Sequence, residues 1–431
     1  MARVGTAKST LGTVLILGAD GFIGRHLAFE LRSAGWHVIA HARSTGRLAA
    51  MGFNVLRADL TSDEAARVKF WRPHLKNVTH VVNAAGVLAA SETVYRAVHV
   101  TAPKAVYEAL PEGAEGVLIS AVSIDEGETG FAKHRLQGED VARNHGLTIL
   151  RAGLVLGDTS YGGSSLARGL AVLPFRVPVV GDGIQQFNPI HAADLAKVVD
   201  HFLRSPDGGT HEIGGPEVVS QGDMLQALRG WMGFDQVPKL CLPISLCDWV
   251  GRVGDFMRLG PISRTAVQQL HVGVLANTSA LQHLPAPPRG FTEFLNARPA
   301  GTQDVWHARF YLLRPVLRMV LVMLWLVSGL LGLFLPSEDF LPLVAGNGLS
   351  DTALVAMARL GGLADLALAA AILRGFRPIP MLWTQAALVV GYTFAFTVLA
   401  PMLWLLPLGG LLKNIPILAL FLVVGILEKE R

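Results

Sequence analysis

TVLILGADGFIG, residues 13–24, decides the fold. Thr13 to Leu17 form a short apolar and β-branched run, the length and composition of a buried strand. Glycines follow at 18, 21 and 24, and Arg25 to Ala34 then reads as a helix. A glycine pattern held between a strand and a helix is the context of a dinucleotide site. Gly18 permits the tight turn, Gly21 lets backbone approach a pyrophosphate, and Gly24 lets helix and strand pack closely. Asp20, Phe22 and Ile23 share the site, because N–H groups at a helix start attract phosphate.

The next strand, WHVIAH at 36–41, ends in HARST. An acidic residue there would hold the ribose 2′-hydroxyl of NAD; Arg43 and Ser44 stand there instead, and an arginine pairs with a 2′-phosphate. The expected cofactor is therefore NADP, with NAD left open. Further strands read at 53–57, 79–83, 116–120 and 147–151, with helical stretches between them. Strands alternating with helices give an α/β, doubly wound parallel sheet.

Composition divides the 431 residues. Mean hydropathy is +0.42 and 16% of residues are charged, too apolar for an ordinary soluble enzyme. The excess lies between Tyr311 and Leu427, so the first cut falls near residue 305. Net charge is +4, but no dense basic run with interleaved aromatics exists, which argues against nucleic acid. Cys241 and Cys247 match no metal spacing and read as reduced thiols; no metal is expected. The start, MARVGTAKSTLG, lacks a long apolar core with a cleavage site, so the N-terminal domain is expected in the cytoplasm.

An ordered set of segments then carries a resemblance. It comprises the three glycines, Asp59 and Leu60, NAAG at 83–86, a strand ending in Ser120, Lys133, LRAGLVLG at 150–157 and GDGIQQFNPIHAADLAKVV at 181–199. Together these resemble an extended or atypical short-chain dehydrogenase/reductase of the NAD-dependent epimerase/dehydratase superfamily. The branch nearest in pattern includes the NADPH-binding accessory subunit of respiratory complex I. The resemblance implies one domain over 1–300 with a substrate lobe within 155–300. It implies that Gly18, Gly21 and Gly24 hold the pyrophosphate and Arg43 the 2′-phosphate. Asp59 and Leu60 would flank the adenine, and Asn83, Ala84, Ala85 and Gly86 would line the cleft. Ser120 would sit beside the nicotinamide and Lys133 would bond its ribose.

In that family a Tyr-x-x-x-Lys pair moves the proton. Spacing i, i+4 puts both on one helix face, and the lysine charge lowers the phenol pKa. Here GETGFAK, 127–133, puts Thr129 in the tyrosine's place. An alkyl hydroxyl is too weak an acid, and general acid–base catalysis is worth about 10²–10⁴-fold. In VYRAVHVTAPKAV, 94–106, His99 takes the place of the family's relay asparagine; it is either a substitute acid or a packed helix histidine. Tyr161 is the other candidate acid, or else a loop packing residue. A Ser120/Lys133 site would still serve an acceptor that needs no protein acid, such as a flavin or quinone.

Four apolar segments, about 315–335, 353–373, 380–400 and 409–427, approach the roughly 20 residues of a bilayer span. Arg309, Arg314 and Arg318 precede the first, and Arg374 and Arg377 separate the second from the third. The intervening loop carries Glu338, Asp339 and Asp351 and no Lys or Arg. Positive loops stay inside. The expectation is a multi-pass protein of a bacterial inner membrane, with N-terminal domain and C-terminus cytoplasmic. Arg359, Asp365 and Lys413 lie in or near the spans. Asp365 should turn inward and pair, with Arg359 or Lys413 as partners by sequence, although Arg359 stands about 240° round the same helix. Lys413 is also free to snorkel. This quartet, with KNIP before its last helix, resembles the DoxX-like membrane domain over 311–431, some of whose relatives are linked to quinone-dependent oxidation. The stretch 284–310, rich in proline at its start, reads as a linker.

These features fit a membrane-anchored NADP(H)-dependent oxidoreductase with a degenerate Tyr-x-x-x-Lys site. They also fit a non-catalytic accessory subunit of a membrane complex, or a reductase or isomerase of a lipid. The partners implied are the lipid bilayer and either complex subunits or a quinone.

Overall fold

Val14 to Leu17 are fully buried on both faces of their strand, which makes it a central one. The strands are β1 (Thr13–Leu17), β2 (His37–Ala42), β3 (Asn54–Arg57), β4 (His80–Asn83), β5 (Glu115–Ala121), β6 (Thr148–Ala152) and β7 (Thr210–Ile213). They form one sheet in the order β7-β6-β5-β4-β1-β2-β3, every pair parallel. Strand order reverses between β1 and β4, and ligands of such sheets bind in the crevice beyond the strand ends at that point. Apolar cores lie on both faces, one around Val14, Ile16 and Leu27, the other around Leu15, Trp71 and Val106.

The computed structural model describes residues 11–125, 129–272, 274–346, 348–405 and 410–428. The GETGFAK residues 127 and 128, and 429–431 of the EKER end, lie outside the described residues. The chain divides into two compact units, Met1–Asp255 with Gly260–Val305, and Phe256–Leu259 with Trp306–Arg431.

Two local readings change. The first helix is Phe22–Ser33, three residues earlier than expected, because Gly21 is already its extended N-cap. β7 was not anticipated; THEI is an edge strand whose polar residues hide the apolar signal. Beyond β6, short strand pairs interleave with helices: Val155–Leu156 with Ile190–His191, Val177–Val180 with Lys239–Leu242, and Gln186–Phe187 with Val219–Ser220.

The stretch expected as a linker is folded into the first unit as far as Val305. Phe291 and Phe294, one helical turn apart on Phe291–Asn296, are buried at 1% and 8% exposure. Arg289 just before them pairs with buried Asp194 at 2.8 Å.

Among the described residues three helices are long and apolar enough to cross a membrane: Thr302–Phe334, Asp351–Leu373 and Pro378–Leu399. The fourth expected span is shorter. Its helix is Asn414–Leu427, 14 residues, after a 3₁₀ turn at Leu411–Lys413. Gly410, at φ 17° and ψ −119°, is non-helical and stops the helix from extending upstream. The first two long helices cross with backbones touching: a Cβ on Gly332 would lie 2.8 Å from the Gly362 Cα, and one on Gly362 2.8 Å from the Gly329 oxygen. Small residues permit such close crossings where lipid gives no hydrophobic drive to associate.

Candidate dinucleotide cleft and intramembrane carboxylate

The glycine turn is built by backbone proximity. Gly18 has φ +76°, and a Cβ there would meet the Ala85 Cα at 2.9 Å. A Cβ on Gly24 would lie 2.1 Å from the Gly18 oxygen, so only glycine lets the helix sit this close to the strand end. Gly21 donates to the Gly18 carbonyl at 2.9 Å, and as N-cap it offers no side-chain acceptor to the first-turn N–H groups. Among the described residues, one Asp20 carboxylate oxygen and the Ser120 hydroxyl are buried without a hydrogen-bond partner. A bare helix start, a cradle that any Cβ would fill and two orphaned polar atoms all fit a bound dinucleotide.

Arg43 and Ser44 are exposed directly after β2. Asp59 follows β3 and accepts from the Thr61 N–H at 2.9 Å and hydroxyl at 2.8 Å. Partial burial pushes its carboxyl up, but those two bonds and the charges of Arg43 and His41 outweigh this and hold it below the usual range. Leu60 is buried beside it. His41 lies under the turn, its Nδ1 3.4 Å from the Gly18 N–H, and burial pushes its pKa down to about 4.

The floor of the cleft is the end of β4. Asn83 accepts from the Ala85 N–H at 3.1 Å and donates to the Tyr107 hydroxyl at 2.8 Å, which fixes the Ala84–Ala85–Gly86 turn against Gly18. Burial raises the Tyr107 phenol above its usual range, so it holds its proton as an acceptor for Asn83.

Thr129 is the N-cap of helix Gly130–Asn144; its hydroxyl oxygen accepts from the Ala132 N–H at 3.1 Å. Lys133, one turn on, is exposed. Tyr161 is 37% exposed, and its backbone is bonded to Ser164 just before helix Gly163–Ala171.

Sequence reading missed Arg135. Its side chain is buried, one guanidinium nitrogen donating to the Ala85 carbonyl at 3.2 Å and to His99 Nδ1 at 3.0 Å. Arginine never accepts, so Nδ1 is the bare nitrogen and Nε2 carries the hydrogen, directed at the Val87 carbonyl 3.2 Å away. Burial and the neighbouring guanidinium push His99 down to about 3, so near neutral pH it is an uncharged acceptor packed in the cleft wall. Burial also lowers Arg135, to about 10. His99 lies in a π-helical turn, Ala97–Thr101, which Gly138 approaches so closely that a Cβ would be 2.4 Å from the His99 oxygen. The signal available in advance was the helix face His134, Arg135, Gly138, Glu139, Ala142, whose polar members all point inward.

Residues 14–122 match the NAD dependent epimerase/dehydratase family, and residues 322–422 match the DoxX-like family. The chain carries an epimerase/dehydratase-type domain followed by a DoxX-like domain. Among solved structures, MoeE5 in complex with UDP-glucose and NAD is 21% identical at TM-score 0.50, covering 69% of this chain and 99% of that one. UDP-glucose 4-epimerase of Thermus thermophilus, in complex with NAD, is 19% identical at TM-score 0.51 with the same coverage. At such identities the likeness is one of fold. No curated protein matches the chain significantly. Among the described residues no cluster of His, Cys, Asp and Glu forms a metal site.

In the DoxX-like domain Asp365 is 3% exposed. One carboxylate oxygen accepts from the Ser328 hydroxyl at 2.6 Å and the other from the Tyr392 hydroxyl at 3.1 Å, so it ties together three helices. The expected cationic partners are elsewhere. Arg359 donates to the Gly332 and Leu335 carbonyls, both at 2.9 Å, capping the end of the first long helix. Carbonyls there lack intrahelical partners and carry the negative end of the helix dipole. Lys413 is exposed.

Proposed function

We propose that the epimerase/dehydratase-type domain binds NADP(H) and passes hydride to an acceptor that then takes its proton from water and needs no protein acid. A lipophilic quinone, delivered through the bilayer, is the acceptor class that suits the DoxX-like domain. The observation that carries this reading is Thr129, whose oxygen is committed to capping a helix where the family places a phenol. His99 is no replacement acid, since it is uncharged and already bonded.

When bound, the nicotinamide supplies hydride transfer. The residues' tasks are to bind and orient. Gly18, Gly21, Gly24 and the N–H groups of Phe22 and Ile23 would seat the pyrophosphate. Arg43 would attract a 2′-phosphate, with Ser44 beside it and with Asp59 and Leu60 flanking the base. The Ala84–Gly86 turn, held by Asn83 and Arg135, would line the cofactor. The Ser120 hydroxyl would find there the partner it lacks, and Lys133 would reach the ribose. The positive-inside pattern of Arg309, Arg314, Arg374 and Arg377 supports a cytoplasmic face for this domain in a bacterial inner membrane.

The fold neighbours named above hold NAD, so cofactor choice is the sharpest test. Calorimetry on the full chain in detergent should show NADPH binding more tightly than NADH. A charge-assisted pair is worth roughly 1.5–3 kcal/mol, and Arg43→Asp should remove the preference. Equal affinities in the wild type would sink the assignment. NADPH oxidation should then proceed with a short-chain quinone and not with simple ketones. The same capped Thr129 favours a second reading, a cofactor-stabilised accessory subunit; that reading requires NADPH to raise the thermal midpoint while no acceptor supports its oxidation.

A further inference from the structure

Helix Ile244–Met257 carries its apolar residues on the side that faces outward. Leu246, Trp249, Val250, Val253 and Phe256 fall at i, i+3, i+4, i+7 and i+10, a single stripe on a 3.6-residue repeat. In a water-facing domain that stripe would be buried. Here Trp249 is 60% exposed, Phe256 49%, Leu246 42% and Val250 40%. The inward face consists instead of Cys247, Gly251 and Gly254, and it packs backbone to backbone on the Ile262–Arg264 segment. A Cβ on Gly254 would lie 1.8 Å from the Ile262 oxygen, and one on Gly251 2.8 Å from the Arg264 nitrogen. The helix is thus held by its glycines, which leaves its large apolar side chains without cover. A contiguous patch of this kind marks an interaction surface.

The end of the same helix says what covers it. Phe256–Leu259 belong to the compact unit of apolar helices. Met257 and Leu259 are buried there, and the Met257 carbonyl accepts from Arg318 at 2.9 Å. The Arg374 guanidinium lies 4.6 Å from the centre of the Phe256 ring. Arg374 immediately follows the second long apolar helix, so Phe256 sits at the level where that helix ends. Arg258, with φ +55°, terminates the amphipathic helix, and Arg252 and Arg258 are exposed beside the stripe. An apolar stripe led by tryptophan, with Asp248, Arg252 and Asp255 along the polar face, Arg258 just beyond, and its end fixed beside the end of a membrane-spanning helix, has the amphipathic make-up of an interfacial helix.

We infer that helix Ile244–Met257 lies in the headgroup–acyl boundary of the bilayer, with Leu246, Trp249, Val250 and Phe256 inserted. This rests on the DoxX-like unit being embedded, and the test separates the two. The full chain is placed in nanodiscs made with lipids brominated near the top of the acyl chain. Tryptophan emission is compared among the wild type, Trp249→Phe and Trp383→Phe, all of which keep an apolar ring and the fold. Trp383, on the third long helix, is 71% exposed and reports whether that helix meets lipid. The emission lost on removing Trp249 should be blue-shifted and strongly quenched by the bromolipid, as should that of Trp383. Quenching of Trp383 with Trp249 unquenched would overturn the inference; a second copy of the chain or another protein covering the helix gives this result. If neither is quenched, the membrane reading itself fails and takes the inference with it.

Discussion

Glu139 and Asp304 of the first unit are handled differently from Asp365 of the second, although the second unit also holds an ion pair of low exposure, Arg318 with Glu428 at 2.7 Å. In the epimerase/dehydratase-type domain both of these carboxylates meet counter-ions. Glu139, 1% exposed, accepts three bonds from Arg151, which also contacts Asp125. Asp304 is bonded to Arg168 and Arg298 at about 3 Å. In the DoxX-like domain an aspartate and an arginine occur six residues apart on one helix and do not meet. Asp365 takes two hydroxyls, and Arg359 takes two main-chain carbonyls. Helix geometry explains the contrast: six residues turn a side chain through about 240°, so each charge faces a different neighbour and is satisfied by dipoles there. Opposite charges six residues apart do not make a pair on a rigid helix, whereas spacings of three and four do, as in Arg143 with Asp140 and Arg204 with Asp200. A loop-rich α/β domain brings charges together from different helices, strands and loops.

The largest expected effect tests the first half of that contrast. Glu139→Gln leaves Arg151 with only the exposed Asp125 as counter-ion, and breaking a buried pair costs about 3–5 kcal/mol. We expect the lower end in chemical denaturation of the first unit. A loss below about 1 kcal/mol would mean that Glu139 adds nothing beyond Asp125.

Next comes the exception within the same domain, where buried Arg135 touches a neutral histidine. His99 has a folded pKa of about 3 against an unfolded value near 6.5, so the native state excludes a proton that the unfolded state accepts. Its contribution to stability is complete above pH 6.5 and is lost as pH falls from there towards 3. Between pH 6.5 and 5 the loss should approach about 2 kcal/mol, at 1.36 kcal/mol per unit. His99→Asn should flatten the dependence of the thermal midpoint on pH in that window, leaving a residual slope from His41. An unchanged slope would remove His99 as its source.

The smallest single effect is that of a conservative change in the apolar helices. Asp365→Asn keeps an acceptor for one hydroxyl and should cost about 1 kcal/mol in detergent. Asp365→Leu leaves both the Ser328 and Tyr392 hydroxyls unmet and should cost about 2–3 kcal/mol. If Asn is as damaging as Leu, the charge itself is what the three helices need. Stability retained in Asp365→Asn together with lost quinone-dependent NADPH oxidation would assign the carboxylate to the reaction.

How much was legible depends on the range of the force involved. The run TVLIL and the spacing of Gly18, Gly21 and Gly24 determined the strand, the turn and the helix after it. Burial on both faces demands a continuous apolar run, and close backbone approach demands glycine, and both demands are local. The same holds for the three long apolar helices, since a bilayer reads length and composition alone. Only the tertiary structure decided that Thr129 is a cap, that Arg135 holds the cleft turn and His99, that β7 closes the sheet edge, and that Asp365 answers to Ser328 and Tyr392. Each of these is a hydrogen bond or strand pairing that depends on the folded backbone. A polar side chain's partner depends on which backbones the packed cores and glycine contacts bring within about 3 Å of it, and residue spacing along one element carries no record of that.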